Sequence, residues 1–353
     1  MSKFLSQKFS NLVPYVPGEQ PKDKEYVKLN TNESPFPPSK NAIRLAKKSA
    51  KRLKLYPDPD CKVLTKLVAD DLGVESKNVI LTNGSDEVLN FAFMAYCDAD
   101  NPAIFPDITY GFYKVFADIN SVPYEMISLK EDFSIDLSEY ATKNGTIFIA
   151  NPNAPTGIFI PVSKIEELLL SNKERVVVID EAYVDFGNES CVSLINKYDN
   201  LLVTRTFSKS RSMAGARLGF GVANENIIND LMSIKYSTNP YNVNMMTASA
   251  GEGSIKDNSY FIKNCKNIIS NREWTTNELL SLGFYATNST ANFIFAKSDK
   301  IDGKDLYLKL KENGILVRHF SNERISDYIR VTVGSKKEME KFISAVKNIL
   351  ENL

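Results

Sequence analysis

At 353 residues the chain is long enough for two domains, and its 43% apolar and 24% charged residues are those of an ordinary globular protein in water. Basic and acidic residues balance at 43 each, so nothing in the charge points to nucleic acid or an anionic membrane surface. Four scattered cysteines without a C-x-x-C pair, and one histidine, His319, argue against a zinc site of the usual kind and suit a reducing cytoplasm. No apolar run reaches the roughly 18 residues of a membrane span. The opening MSKFLSQKFS lacks the apolar core of a signal peptide.

In chain order, residues 1–40 hold Pro14, Pro17, Pro21, Pro35, Pro37 and Pro38, a density that prevents regular helix. They are expected to form an extended arm that packs on the body of the protein or on a second subunit. Residues 40–55 show helical apolar spacing with a basic, solvated face, and the prolines of YPDPD at 56–60 should stop that helix. CKVLTKLVADDLG predicts a helix closed by Gly73, and VILTN at 79–83 a strand. Gly84-Ser85-Asp86-Glu87 opens an apolar helix. Ser85 is placed to cap it, and the exposed amides of its first turn would suit an anion.

Strands are expected at 103–105, 124–127, 146–150, 176–179, 201–206 and near 220. Several are continuous apolar runs, as buried parallel strands are. Helical pieces such as VSKIEELLL lie between them, so residues 41–245 read as a large α/β domain with helices on both faces of a mostly parallel sheet. Beyond 245 the texture changes. Long amphipathic helices at 260–282 and 336–350 bracket strand-like pieces at 292–296, 315–318 and 328–333, which predicts a smaller α+β domain over 246–353.

Two places carry chemistry. Asp180 ends the run RVVVID, where open α/β sheets hold their ligands, and a carboxylate there could keep a protonated ring nitrogen charged. Lys209 follows the buried-strand run LLVTRTF, where desolvation would make its amine nucleophilic toward an aldehyde. Thr206, Ser208 and Arg217 around it are what a phosphate beside that aldehyde needs.

Eight segments in order then carry a resemblance. KLNTNESPFPPS, LYPDPD, TNGSDEVL, DITYGFY, NPNAPTG, VIDEAY, TFSKSRSMAGARLGF and YIRVTVG make the chain resemble the fold-type I pyridoxal-phosphate transferases, in particular the histidinol-phosphate branch of the aminotransferases. The resemblance covers nearly the whole chain and implies a seven-stranded, mostly parallel sheet. It further implies that Lys209 joins the aldehyde of pyridoxal 5'-phosphate and then moves the substrate proton. Asp180 is to pair with the pyridine nitrogen, Tyr183 to donate to the ring's phenolic oxygen, and Tyr110 to stack on the ring.

For the cofactor phosphate it implies Gly84, Ser85, Asp86, Thr206, Ser208 and Arg217, with Tyr56 reaching across from the neighbouring subunit of a homodimer. The substrate phosphate falls to Arg330, Arg318 and Tyr15, with Asn32 bordering the pocket. Histidinol phosphate and 2-oxoglutarate are the substrates so implied. An aromatic aminotransferase and a threonine-phosphate decarboxylase share the motifs. One departure stands out: where the family has an asparagine before Pro-Thr-Gly, this chain has Ala154. Asn153 is expected to swing in as the missing donor.

Overall fold

The computed structural model describes residues 2–10 and 12–353. In the arm, strand β1 (Val27–Lys28) is the first regular pairing. Helix α1 (Lys40–Ser49) begins where the Ser39 side chain accepts from the Ala42 amide. Helix α2 (Lys62–Leu72) ends on Gly73 at a φ of 71°, a left-handed turn that glycine adopts without strain.

The chain then alternates through β2 (Val79–Thr82), α3 (Ser85–Tyr96), β3 (Ala103–Pro106), α4 (Phe112–Asn120) and β4 (Tyr124–Ile127). It continues with α5 (Leu137–Ala141), β5 (Thr146–Ala150), α6 (Val162–Ser171), β6 (Val177–Asp180), β7 (Leu201–Thr206), β8 (Gly219–Ala223) and α7 (Glu225–Thr238). The sheet runs β2-β8-β7-β6-β5-β3-β4. Only β8 is antiparallel to its neighbours. The order reverses between β3 and β5, so the crevice of such a sheet opens at their carboxyl ends.

The alternation of side chains explains the two cores. Ile147, Ile149, Ile179 and Val203 face one side, toward Leu64, Ile165 and Leu168, while Phe148, Val178 and Leu202 face the other, toward Phe91, Phe93 and Tyr113. Because both faces are covered, the central strands are apolar at every position, which is why they read as unbroken runs.

Helix α8 (Met245–Lys256) begins at the expected start of the second domain. Its Ala250 and Ile255 nevertheless join Ala42, Leu64 and Val68 in the core of the large layer. Then come α9 (Asn258–Ser281), β9 (Phe284–Ala286), β10 (Phe293–Ser298), α10 (Gly303–Glu312), β11 (Ile315–Leu316), β12 (Arg318–His319), β13 (Tyr328–Thr332) and α11 (Lys336–Glu351). The smaller sheet is antiparallel, in the order β12-β13-β10-β9, and its own core includes Phe293, Ile329, Val331, Phe342 and Val346.

The strand expected over 315–318 is divided. β11 pairs in parallel with β1 of the arm, and β12 pairs with β13. The arm is thereby sewn to the smaller layer. Leu29 donates to Leu316, Glu19 meets Lys311 and Tyr307, and Lys24 reaches the Glu312 carbonyl.

Candidate active site

Asp180, the last residue of β6, is buried at the carboxyl edge of the large sheet. Its carboxylate accepts from the Thr204 hydroxyl at 3.1 Å, the Ala182 amide at 3.2 Å and the Tyr113 hydroxyl at 3.3 Å. No cation pairs with it among the described residues. Burial pushes the acid up to about 6, with Asp86's charge adding to the rise and the Thr204 hydroxyl opposing it. A buried carboxylate so placed is an unfilled demand for positive charge.

Lys209 lines the same cavity, a space of about 310 Å³. Its ammonium donates to the Thr31 carbonyl at 3.3 Å and lies 5.8 Å from the centre of the Tyr183 ring. Desolvation, seconded by the Arg330 charge, lowers the amine to about 8, against the opposing pull of Asp86 and Glu33. At pH 8 about half of such amines are neutral, against less than about 1% for an ordinary lysine. This is the electrostatic state a Schiff-base lysine needs.

The other end of the cavity is built for an anion. Gly84, at a φ of 83°, ends the approach to α3. An added Cβ there would lie 2.7 Å from the Arg217 guanidinium. Gly219 on β8 lets that turn pack tightly, since a Cβ on it would sit 2.2 Å from the Ser85 amide. Glycine at both places brings the first turn of α3 against the cavity, with Ser85 and Asp86 in its wall. The Thr206 hydroxyl donates to Ser208 at 3.0 Å and accepts from the Ser208 amide at 3.1 Å. Half-exposed Arg217 pairs with Asp86 at 2.9 Å, and Tyr110 donates to the same carboxylate at 2.7 Å.

A second chamber of about 370 Å³ adjoins the first, and Thr31, Tyr110, Ala154, Tyr183 and Lys209 line both. Its far wall carries Arg318 and Arg330, which lie directly opposite each other in the β12–β13 register. Arg330 donates to the Asn30 carbonyl at 3.2 Å and leaves its Nε buried without a partner. Arg318 donates to the carbonyls of Val16 and Pro17 and lies 5.8 Å from the centre of the Phe320 ring. Neither has a carboxylate partner among the described residues. Two like charges face to face in one chamber call for an anion between them. Tyr15 completes the wall, stacked on Phe112 at 4.3 Å.

The family profile "Aminotransferase class I and II" matches residues 24–346. The chain belongs to that family. It is 48% identical to the histidinol-phosphate aminotransferase of Brachyspira hyodysenteriae and 45% identical to that of Clostridium botulinum, each over the full length of both chains. The crystal structure of the histidinol-phosphate aminotransferase from Clostridium acetobutylicum superposes with a TM-score of 0.86 at 26% identity, covering 92% of this chain and 99% of that one. At 20% identity, the Sinorhizobium meliloti histidinol-phosphate aminotransferase, solved with pyridoxal-5'-phosphate, shares the fold with a TM-score of 0.86, covering 93% of this chain and 92% of that one.

Within this aminotransferase the sequence-predicted residues divide. Lys209, Asp180, Tyr183, Tyr110, Ser85, Asp86, Thr206, Ser208 and Arg217 line one cavity, and Arg318, Arg330, Tyr15 and Asn32 line the adjoining one. Tyr56 lies elsewhere, 79% exposed and stacked on Tyr241 at 4.6 Å.

Two expectations are corrected. Asn153 does not swing toward the cavity: its amide donates to Ile108 O and the Thr156 hydroxyl, and its oxygen accepts from Thr109. Both of its amide protons are spent within the fold, on Ile108 and Thr156, and Ala154 and Pro155 are what that loop presents to the two chambers. Ser85 does not cap α3. Gly84 takes the cap position and Ser85 becomes the first helical residue, which leaves its hydroxyl beside the cavity.

The sequence reading missed Thr31, Glu33, Thr204 and Tyr113. Thr31 and Glu33 come from the arm, and Thr204 and Tyr113 hold Asp180 from behind. The hydroxyl of Thr204, two residues before Thr206 on β7, was a signal that strand alternation could have found.

The cavity fits a planar group with a cationic nitrogen at one end and a phosphate at the other. Asp180 has no cation partner among the described residues, the first turn of α3 lines the wall, and Lys209 shares the cavity with both.

Proposed function

We propose that the chain is a pyridoxal-phosphate-dependent aminotransferase that converts histidinol phosphate and 2-oxoglutarate to imidazole-acetol phosphate and glutamate, a step of histidine biosynthesis. The observation that carries the substrate is the Arg318–Arg330 pair, two guanidinium groups without a carboxylate partner in the chamber that Lys209 also lines. One carboxylate is satisfied by one bidentate guanidinium, whereas a phosphate dianion gives work to two. The far carboxylate of 2-oxoglutarate can use the same pair.

When bound, pyridoxal phosphate supplies an aldehyde for the amine and a ring that draws electrons from the substrate's α carbon. Asp180 holds the ring nitrogen charged, and Thr204 and Tyr113 hold Asp180. Lys209, with its lowered proton affinity, would be the group that accepts the proton from the substrate's α carbon and hands it to the carbon that had been the cofactor's aldehyde. Tyr183 donates to the ring oxygen, and Tyr110 packs on the ring face. The α3 start, Thr206, Ser208 and Arg217 hold the phosphate. Arg330, Arg318 and Tyr15 fix the substrate's distal end, with Asn32 at the border of that pocket.

Tyr56, so exposed in the single chain, serves the phosphate of a second subunit, and the working unit is a homodimer in the cytoplasm. Neutral overall charge supports small molecules rather than nucleic acid as partners.

Incubation with pyridoxal phosphate, histidinol phosphate and 2-oxoglutarate should release glutamate. No glutamate above background overturns the reading. Carbon dioxide from threonine phosphate would mark a lyase instead, and equal turnover of phenylalanine an aromatic aminotransferase.

A further inference from the structure

Tyr183 stands at the junction of the two chambers, and its single hydroxyl proton can be given to only one acceptor. The neighbour of that hydroxyl is Asn32, which is 1% exposed and whose Nδ2 lies 3.0 Å from the Tyr183 oxygen. The direction of this bond follows from the rest of the network. The Asn32 backbone amide donates to the Thr332 hydroxyl at 2.9 Å, so that hydroxyl spends its own proton on Asn32 Oδ1 at 3.1 Å. With Oδ1 thus occupied, the NH2 group is the end that faces Tyr183. The Asn32 carbonyl is held in turn by the Asn292 side chain at 3.1 Å. The residue sits at a φ of 56°, a left-handed conformation that asparagine tolerates better than most residues.

We propose that Asn32 is a positioning residue for Tyr183: by donating to the tyrosine oxygen it leaves the phenolic proton free to point into the cavity, toward the ring oxygen of the cofactor. This inference rests on the reading of the cavity as a pyridoxal-phosphate site. It assigns to the arm the task left open at Ala154, where the wall offers no side-chain donor, and at Asn153, whose amide is spent within the fold. The asparagine acts one bond removed, on the tyrosine rather than on the cofactor.

Burial raises the proton affinity of Tyr183, and the Arg330 charge and the Asn32 hydrogen bond both draw it back, which makes the hydroxyl a stronger donor. Thr332 and Arg330 point to the same face of β13, two residues apart. One strand therefore carries both the anion grip and the lock on Asn32.

The test is the pH titration of the visible absorbance of the cofactor-loaded protein, with Asn32→Gly, which accepts the left-handed backbone, and Thr332→Val. A hydrogen bond donated to the ring oxygen favours its anion, so weakening it moves the titration midpoint to higher pH. Asn32→Gly should raise the midpoint by about 0.5–1 unit, the scale of one hydrogen bond, and Thr332→Val by less. The charged groups acting on Tyr183 are Arg330, Asp180 and Asp86, with the Lys209 nitrogen, which the cofactor aldehyde takes up on loading, 5.8 Å from its ring centre, and neither substitution alters their number.

In a Tyr183→Phe background Asn32→Gly should add no further shift, which a merely structural role would not produce. An unchanged midpoint, or the same shift with and without the Tyr183 hydroxyl, overturns the proposal while leaving the cofactor reading intact. Unaltered protein with no visible titration overturns both.

Discussion

Lys209 and Asp180 are displaced from their ordinary proton affinities in opposite directions by the same cause, the removal of water from around a charge. For the acid, the folded state holds its proton more tightly than the unfolded one. Its contribution to stability is therefore present below about pH 4 and lost as pH rises through about 6. For the lysine, depressed to about 8, the contribution is present above about pH 10.5 and lost as pH falls through 8. A pyridinium nitrogen beside Asp180 removes the first cost, so the cofactor should raise the melting temperature more at pH 7.5 than at pH 5. Equal increments at the two pH values would contradict the pairing.

Asp180→Asn should slow turnover at least a hundredfold, since breaking a buried charge pair costs about 3–5 kcal/mol. Lys209→Ala should abolish the visible band of the lysine-bound cofactor and stop turnover. Arg330→Ala should weaken phosphate and dicarboxylate substrates alike by about 2–5 kcal/mol, read as KM; unchanged kinetics would remove Arg330 from the chamber's work.

The anion cradle belongs to an element rather than a residue. Helix α3 is apolar along Val88, Leu89, Phe91, Ala92 and Phe93 and is pinned by that face, so its first turn reaches the cavity only as closely as β8 permits. Gly219→Val would place a side chain where the Ser85 amide now lies and force the helix back. Overpacking of this kind costs about 1–3 kcal/mol of stability. The displaced amides should also lower cofactor affinity tenfold or more, measured by fluorescence or absorbance titration. A variant that melts earlier but keeps full cofactor affinity would show that the cradle does not depend on this contact.

At the size of the whole molecule, the surface around Tyr56 is where the proposed second subunit would pack. Leu53, Leu55 and Val63 are exposed with it, and Tyr241 stacks on its ring. Exposed apolar groups in such density mark an interaction surface. Sedimentation should give twice the 39.6 kDa of the chain. Tyr56→Phe should weaken cofactor retention by about 1.5–3 kcal/mol, the worth of a hydrogen bond to a charged group, without changing the fold. A monomer with full cofactor affinity would count against the shared site.

Features that depend on neighbours along the chain were legible before folding. Unbroken apolar runs such as TIFIA and VVID marked buried parallel strands because both faces of the large sheet are covered. The ends of those runs placed Asp180 and Lys209 at the sheet's carboxyl edge. Gly73 marked a helix end because its backbone geometry is local.

The tertiary structure alone decided where shared side chains point. Asn153 looked free to turn inward, but Ile108, Thr109 and Thr156 use up its hydrogen bonds. Asn32 read as a pocket border, and only folding brings it to a tyrosine 151 residues away and a threonine 300 away. Residues 315–318 read as one strand, yet they serve two sheets because the arm returns to pair with β11. Periodicity records which face a residue occupies. A hydrogen bond requires two partners, and here the second comes from a segment whose position the packed core sets.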